Sequence, residues 1–83
     1  MPAFTDADLV RRASHGDRAA FGKLYERYAR VVHGILLSRV PSSDAEDLVQ
    51  DVFVIVMKKL PMLRTPEAFP AWLAAIARNQ AFD

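Results

Sequence analysis

Asp44, Glu46, Asp47 and Asp51 bring four carboxylates into eight residues of a chain whose net charge is +1. Clustered carboxylates can hold a cation, exchange protons with a substrate, or face a basic partner. These four lack the ligand spacing of a calcium loop. For an enzyme there is little support, since no nucleophile–base pair, metal cluster or phosphate-cradling glycine loop is legible. His15 and His33 have no metal-ligand companions, and the chain has no cysteine to supply a thiolate or a disulfide. Neither an enzyme nor a bound metal or cofactor is expected.

The segment "SSDAEDLVQDVFVIVMKKL" (42–60) shows how the acids are carried. At 100° per residue, Ala45, Leu48, Val49, Val52, Phe53, Val56 and Leu60 form one apolar stripe. Asp47, Gln50, Asp51, Val54 and Lys58 project from the opposite side. Burying that side within a small domain would strand carboxylates at several kcal/mol each, so it must face outward. Two readings fit: a solvated face with one stray valine, or a protein-docking surface with an apolar anchor ringed by acids, suited to a basic partner.

The elements that would position this face are helices. Thr5 with Asp8 forms an acidic variant of the capping box, and Gly16 in "HGD" can end the first helix in the left-handed conformation. Asp17 caps the second, whose apolar positions Phe21, Leu24, Tyr25, Tyr28, Val31, Val32, Ile35 and Leu36 recur at helical steps until Pro41 ends it. Gly22 and Gly34 within it mark candidate close-packing points. Ser43 with Glu46 reads as a capping box for the third helix, with acids early, Lys58 and Lys59 late, and Pro61 as terminator. Thr65 caps a fourth helix with Pro66 at its first position and Pro70 inside its first turn or so. Phe69, Trp72, Leu73, Ile76 and Ala77 form its inner stripe. No strand-like alternation persists, so the predicted fold is all-α, a compact four-helix bundle.

Eighty-three residues make at most one small domain, and with 52% of them hydrophobic there is enough to pack without disulfides. No apolar run approaches the roughly 20 residues that span a bilayer. "MPAFTDADLV" lacks a cationic leader followed by an apolar stretch. A soluble, cytoplasmic protein without membrane insertion is expected. Charge is segregated: Arg11, Arg12, Arg18, Lys23, Arg27, Arg30 and Arg39 precede the acidic stretch, and Lys58, Lys59, Arg64 and Arg78 follow it. That pattern suits two different partners.

"DAEDLVQDVF" resembles region 2.2 of bacterial sigma factors of the extracytoplasmic-function (ECF) group. "GDRAAFGKLYERY" (16–28) is similar to region 2.1, and "AFPAWLAAIARNQAFD" (68–83) resembles regions 2.3 and 2.4. The resemblance implies a sigma region 2 bundle spanning 1–83. It also implies a transcription initiation factor that binds RNA polymerase core through the clamp helices of the β′ subunit and recognises and melts the promoter −10 element. Carried over by position, Glu46, Asp47, Gln50, Asp51 and Val54 would contact the polymerase. Phe53 belongs to the same motif, but its wheel position favours the core. An anti-sigma factor is a further partner the family implies.

Holding a base outside a duplex takes a snug pocket and hydrogen bonds to its edge, and a single strand needs positive charge and apolar surfaces. The loop "PMLRTPEA" supplies Met62, Leu63 and Arg64, and the fourth helix supplies Arg78 and Asn79. The resemblance assigns the loop to the pocket for the flipped −10 base of the non-template strand, with Asn79 of "IARN" among its lining groups. Lys58 can meet phosphates or complement the helix dipole. Trp72 lies on the inner stripe and reads as core. Many relatives carry an aromatic residue where this chain has Leu63, which takes base stacking away from that point. Relatives continue past the position of Asp83 into the rest of region 2.4, a linker and region 4, so the chain reads as domain 2 alone. The alternative is a helical interaction module without DNA contact, sequestered by an anti-sigma partner or self-associating through Val54 and Phe82.

Overall fold

Helix starts fix the frame. The computed structural model describes residues 4–81; Phe82, a candidate interface residue, lies outside them. The Thr5 hydroxyl accepts from the Asp8 N–H at 3.1 Å and the Asp8 carboxylate accepts from the Thr5 N–H at 3.2 Å, which opens α1 (Asp6–Ser14) with the expected reciprocal box. Gly16, at φ +95°, makes the left-handed turn that ends it. The Asp17 carboxylate accepts from the Ala20 N–H at 3.1 Å and starts α2 (Arg18–Leu37). α3 (Ser42–Lys59) follows, then 3₁₀ turns at Leu60–Met62 and Pro66–Ala68, then α4 (Phe69–Gln80). Among the described residues there is no strand, and the all-α four-helix bundle stands as the sequence predicts.

Two helix starts differ from expectation. Ser43 does not cap α3: the helix begins at Ser42, and Pro41 takes the cap position without a side-chain bond. Pro41, with φ −57° and ψ 151°, sets the chain direction, and its carbonyl accepts from the N–H groups of Asp44 and Ala45 at 3.0 Å each. Ser43 is thereby already inside the first turn, and Glu46 is too far along to reach back. Nor does Thr65 cap α4. Pro70 has no N–H to return to the carbonyl of Pro66, so the Phe69 N–H takes that carbonyl in a tighter bond. Residues 66–68 therefore form a 3₁₀ turn and α4 begins at Phe69.

α2 is the central strut, packed against α1, α3 and α4. Leu24, Val32 and Leu36 of α2 meet Val52 and Val56 of α3 and Phe69, Leu73 and Ala77 of α4 in one core, and Leu9 and Val10 close it from α1. Val31 and Tyr25 are corrections to the inner stripe of α2, being 52% and 38% exposed. Gly22 and Gly34 are also corrections: both are exposed, and a Cβ at either would meet nothing within 4 Å. Neither is a close-packing point.

α1 is also tied to α2 by polar contacts. Arg27 donates to Asp6 at 2.8 Å and to the Phe4 carbonyl at 2.7 Å, and the Tyr28 hydroxyl donates to the other oxygen of Asp6. Burial pushes the Asp6 pKa up, but the bonds from Tyr28 and Arg27 and the charge of Arg27 outweigh it and hold it below the usual 3.8. Burial, then the bond to Asp6, pushes Tyr28 up to about 12. A depressed carboxyl stabilises the fold above its unfolded pKa and ceases to do so as pH falls through its folded one; a raised phenol does so below its unfolded pKa and ceases as pH rises toward 12. Melting temperature should therefore be flat at mid pH, fall below about pH 4 and fall again above about pH 10. Asp6→Asn should flatten the acid limb in part, because Asp8 is also depressed by its bonds to Thr5. Tyr28→Phe should flatten the alkaline limb. Thermal melts between pH 2 and 12 check both, and identical limbs in wild type and variants would refute the coupling.

Candidate functional site

The outer face of α3 is where the carboxylates come together. Asp44, Glu46, Asp47, Gln50 and Asp51 are all exposed, while Ala45, Val49, Val52 and Val56 behind them are buried. The ion pairs of the described residues involve Asp6, Asp8, Asp17, Glu26 and Glu67, and none involves these four acids. The fold thus holds a set of charges outward without neutralising them. Asp44 and Asp47 border a depression with Gln80 on the α4 side, and Glu46 borders another with Arg30 and His33 on the α2 side.

Val54 is not a stray residue. It is 52% exposed and shares the lip of a groove of about 180 Å³ with Gln50, Met57 and Tyr25, floored by Phe21 and Phe53. The Phe53 ring is 4% exposed, with Tyr25 at 4.7 Å and Phe21 edge-on at 6.3 Å, so this motif residue belongs to the core. Met57 is 59% exposed. Sequence reasoning missed Tyr25 and Met57 as surface groups. The signal was present in the α3 wheel, where Met57 falls outside the core stripe. Tyr25 gave no such signal, because an aromatic at helical spacing reads as inward.

The second set of site residues occupies the connection from α3 to α4. Leu60 and Phe69 are buried and fasten its two ends. Between them Met62 is 72% exposed, Arg64 is exposed, and Leu63 packs half-buried against the core, which leaves it less available to a ligand than Met62. Lys58 is exposed on the last turn of α3. Trp72 packs half-buried with Phe69 at 5.9 Å, in keeping with a core role. Arg78 and Asn79 are exposed near the end of α4. Ten residues separate Phe69 from Asn79, about 15 Å along the helix, and Gln80 sits beside Asp44 and Asp47. The loop and Asn79 therefore lie at opposite ends of α4. That separation is too long for one base to reach both, so Asn79 does not line a single-base pocket with the loop.

Chemically, one surface offers unpaired carboxylates beside an apolar groove, and the other offers cations, an exposed thioether and an amide. The first suits a basic protein helix and the second a polyanion with flat groups. A model of the sigma-70 region 2 family matches residues 24–83. The chain is 40% identical over 77 residues to the ECF RNA polymerase sigma-E factor of Escherichia coli, covering 93% of this chain and 40% of that protein. It is 39% identical over 77 residues to the ECF RNA polymerase sigma-E factor of Haemophilus influenzae, covering 93% and 41% respectively. The chain spans about two fifths of the length of the curated relatives it matches.

Proposed function

Because the chain belongs to the sigma-70 region 2 family, in its ECF group, we propose that it serves transcription initiation by joining RNA polymerase core to the promoter −10 element. The observation that carries this reading is the outward, unneutralised acidic face of α3 beside the Val54 groove. Asp47, Gln50 and Asp51 supply hydrogen-bond acceptors and charge for the clamp helices of the β′ subunit, and Val54 with Met57 and Tyr25 supplies the apolar anchor. Glu46 stands to one side, toward α2, and contributes at the margin. An anti-sigma partner covering the same groove would exclude the polymerase by occupancy. The test is retention of core RNA polymerase by the immobilised chain at moderate salt; absence of retention would overturn the reading.

The promoter side of the proposal rests on the loop and α4. Lys58, Arg64 and Arg78 meet phosphates of the non-template single strand, Met62 offers an apolar surface to a base, and Asn79 bonds to a base edge further along the strand. Leu63 supports the loop from below. A fluorescence titration should show tighter binding to a −10-type strand than to an unrelated strand of equal length, with affinity falling steeply as salt rises. Asn79→Ala should lower the ratio of the two affinities about three- to tenfold, the range of one lost neutral hydrogen bond. Equal binding of both strands by the unaltered chain would remove the base-reading role.

A further inference from the structure

The connection that carries Met62 and Arg64 is braced from α1. Both 3₁₀ turns, Leu60–Met62 and Pro66–Ala68, pack against that helix. Across the surface, Nη2 of Arg11 donates to the Glu67 carboxylate at 3.2 Å, joining residues 56 positions apart. Nη1 of the same guanidinium reaches Asp8 at 3.4 Å, and Asp8 is held by Thr5. A line of polar contacts thus runs from the first helix cap to the second turn of the loop. The loop has little of its own to fix it. Thr65 makes no side-chain bond to the turn it precedes, and the turns are closed by a few backbone bonds, Leu63 N–H to Leu60 in the first and Ala68 N–H to Thr65 and Phe69 N–H to Pro66 in the second. α1 lies outside residues 24–83, the stretch the family model matches.

We infer that Arg11, acting through Glu67, is a positioning residue that sets how the loop presents Met62 and Arg64 to a single strand. The inference rests on the strand-reading role proposed above. Both side chains are more than half exposed, so their pairing adds little to global stability. Its effect is local: it restrains a segment whose own bonds are few, and strand selectivity depends on that restraint.

The test compares the unaltered chain with Arg11→Ala, Glu67→Ala, the double variant and Arg11→Lys. Two quantities are read: amide hydrogen exchange at Leu63 and Ala68, and the ratio of affinities for a −10-type and an unrelated strand. Each alanine variant should speed exchange and lower the ratio by about two- to fivefold, the ceiling for an exposed ion pair. The double variant should be no worse than either single, and Arg11→Lys should stay within about twofold of the unaltered chain. Taking the ratio cancels any general change in attraction for phosphates. Where the unaltered chain distinguishes the two strands, exchange that is unmoved in both singles, additive losses in the double, or exchange that moves without the ratio would each overturn the inference. If the unaltered chain binds both strands equally yet exchange responds as described, the strand-reading role fails and the brace stands.

Discussion

Asp51→Lys is expected to abolish binding to a β′ clamp-helix fragment while leaving the domain folded. Asp51 is exposed and belongs to none of the ion pairs among the described residues, so its replacement unsatisfies nothing inside the fold. A surface change of this kind alters stability by about 0.5 kcal/mol or less. Across an interface the same change replaces attraction by like-charge repulsion, which costs several kcal/mol, on the order of 100-fold in affinity or more. The experiment is a titration of the fragment against both proteins, with melting curves recorded in parallel. Unaltered affinity in a folded variant would remove the docking role from α3. Val54→Ala belongs in the same series: the side chain is half in solvent, so stability should hold while affinity falls through the groove alone.

Phe69→Ala should produce the largest loss of stability of any single change considered. The ring is fully buried, with Tyr28 edge-on at 5.3 Å and Trp72 at 5.9 Å. It also fixes the junction of the loop with α4 and backs the Tyr28 ring whose hydroxyl holds Asp6. Truncating such a residue costs about 3–5 kcal/mol. A chain of 83 residues has a total of about 4–12 kcal/mol to lose, so the midpoint should fall by about 12 °C or more. Calorimetry or circular dichroism would show it, and a shift of only a degree or two would mean that the core is not organised around this ring. The loop should loosen with it, so strand binding would decline even below the new midpoint.

Much of this architecture is legible in the residues because single side chains carry the signals. Thr5 with Asp8, Asp17 and Gly16 each declare a boundary by chemistry that acts within three or four residues, and the structure places each where expected. Ser43 and Thr65 carry the same chemistry but stand beside prolines, and Pro41, Pro66 and Pro70 decide the local path instead. The acidic face of α3 follows from periodicity, since charge cannot be buried cheaply and one helix has only two sides. The groove beside it could not be read in this way. It is lined jointly by Tyr25 of α2 and Met57 of α3, a relation between helices that neither wheel contains. The distance between the loop and Asn79 was likewise invisible in the motif, which gives order along the chain and not the length of the helix between.

The arrangement of charge along α3 has a consequence for how the molecule travels. Its carboxylates run from Asp44 to Asp51 and its ammonium groups sit at Lys58 and Lys59, the extremes about 22 Å apart at 1.5 Å per residue. With a net charge of +1 the body as a whole is barely pulled by a distant field. It is instead turned. Within a screening length of roughly 8 Å, opposite ends feel opposite forces, and the resulting torque rotates the anionic end toward a basic surface and the cationic end toward phosphate before contact is made. An adaptor of the proposed kind would reach its two targets already aligned, and added salt would first blunt this pre-rotation, slowing productive encounters ahead of any loosening of a complex once formed.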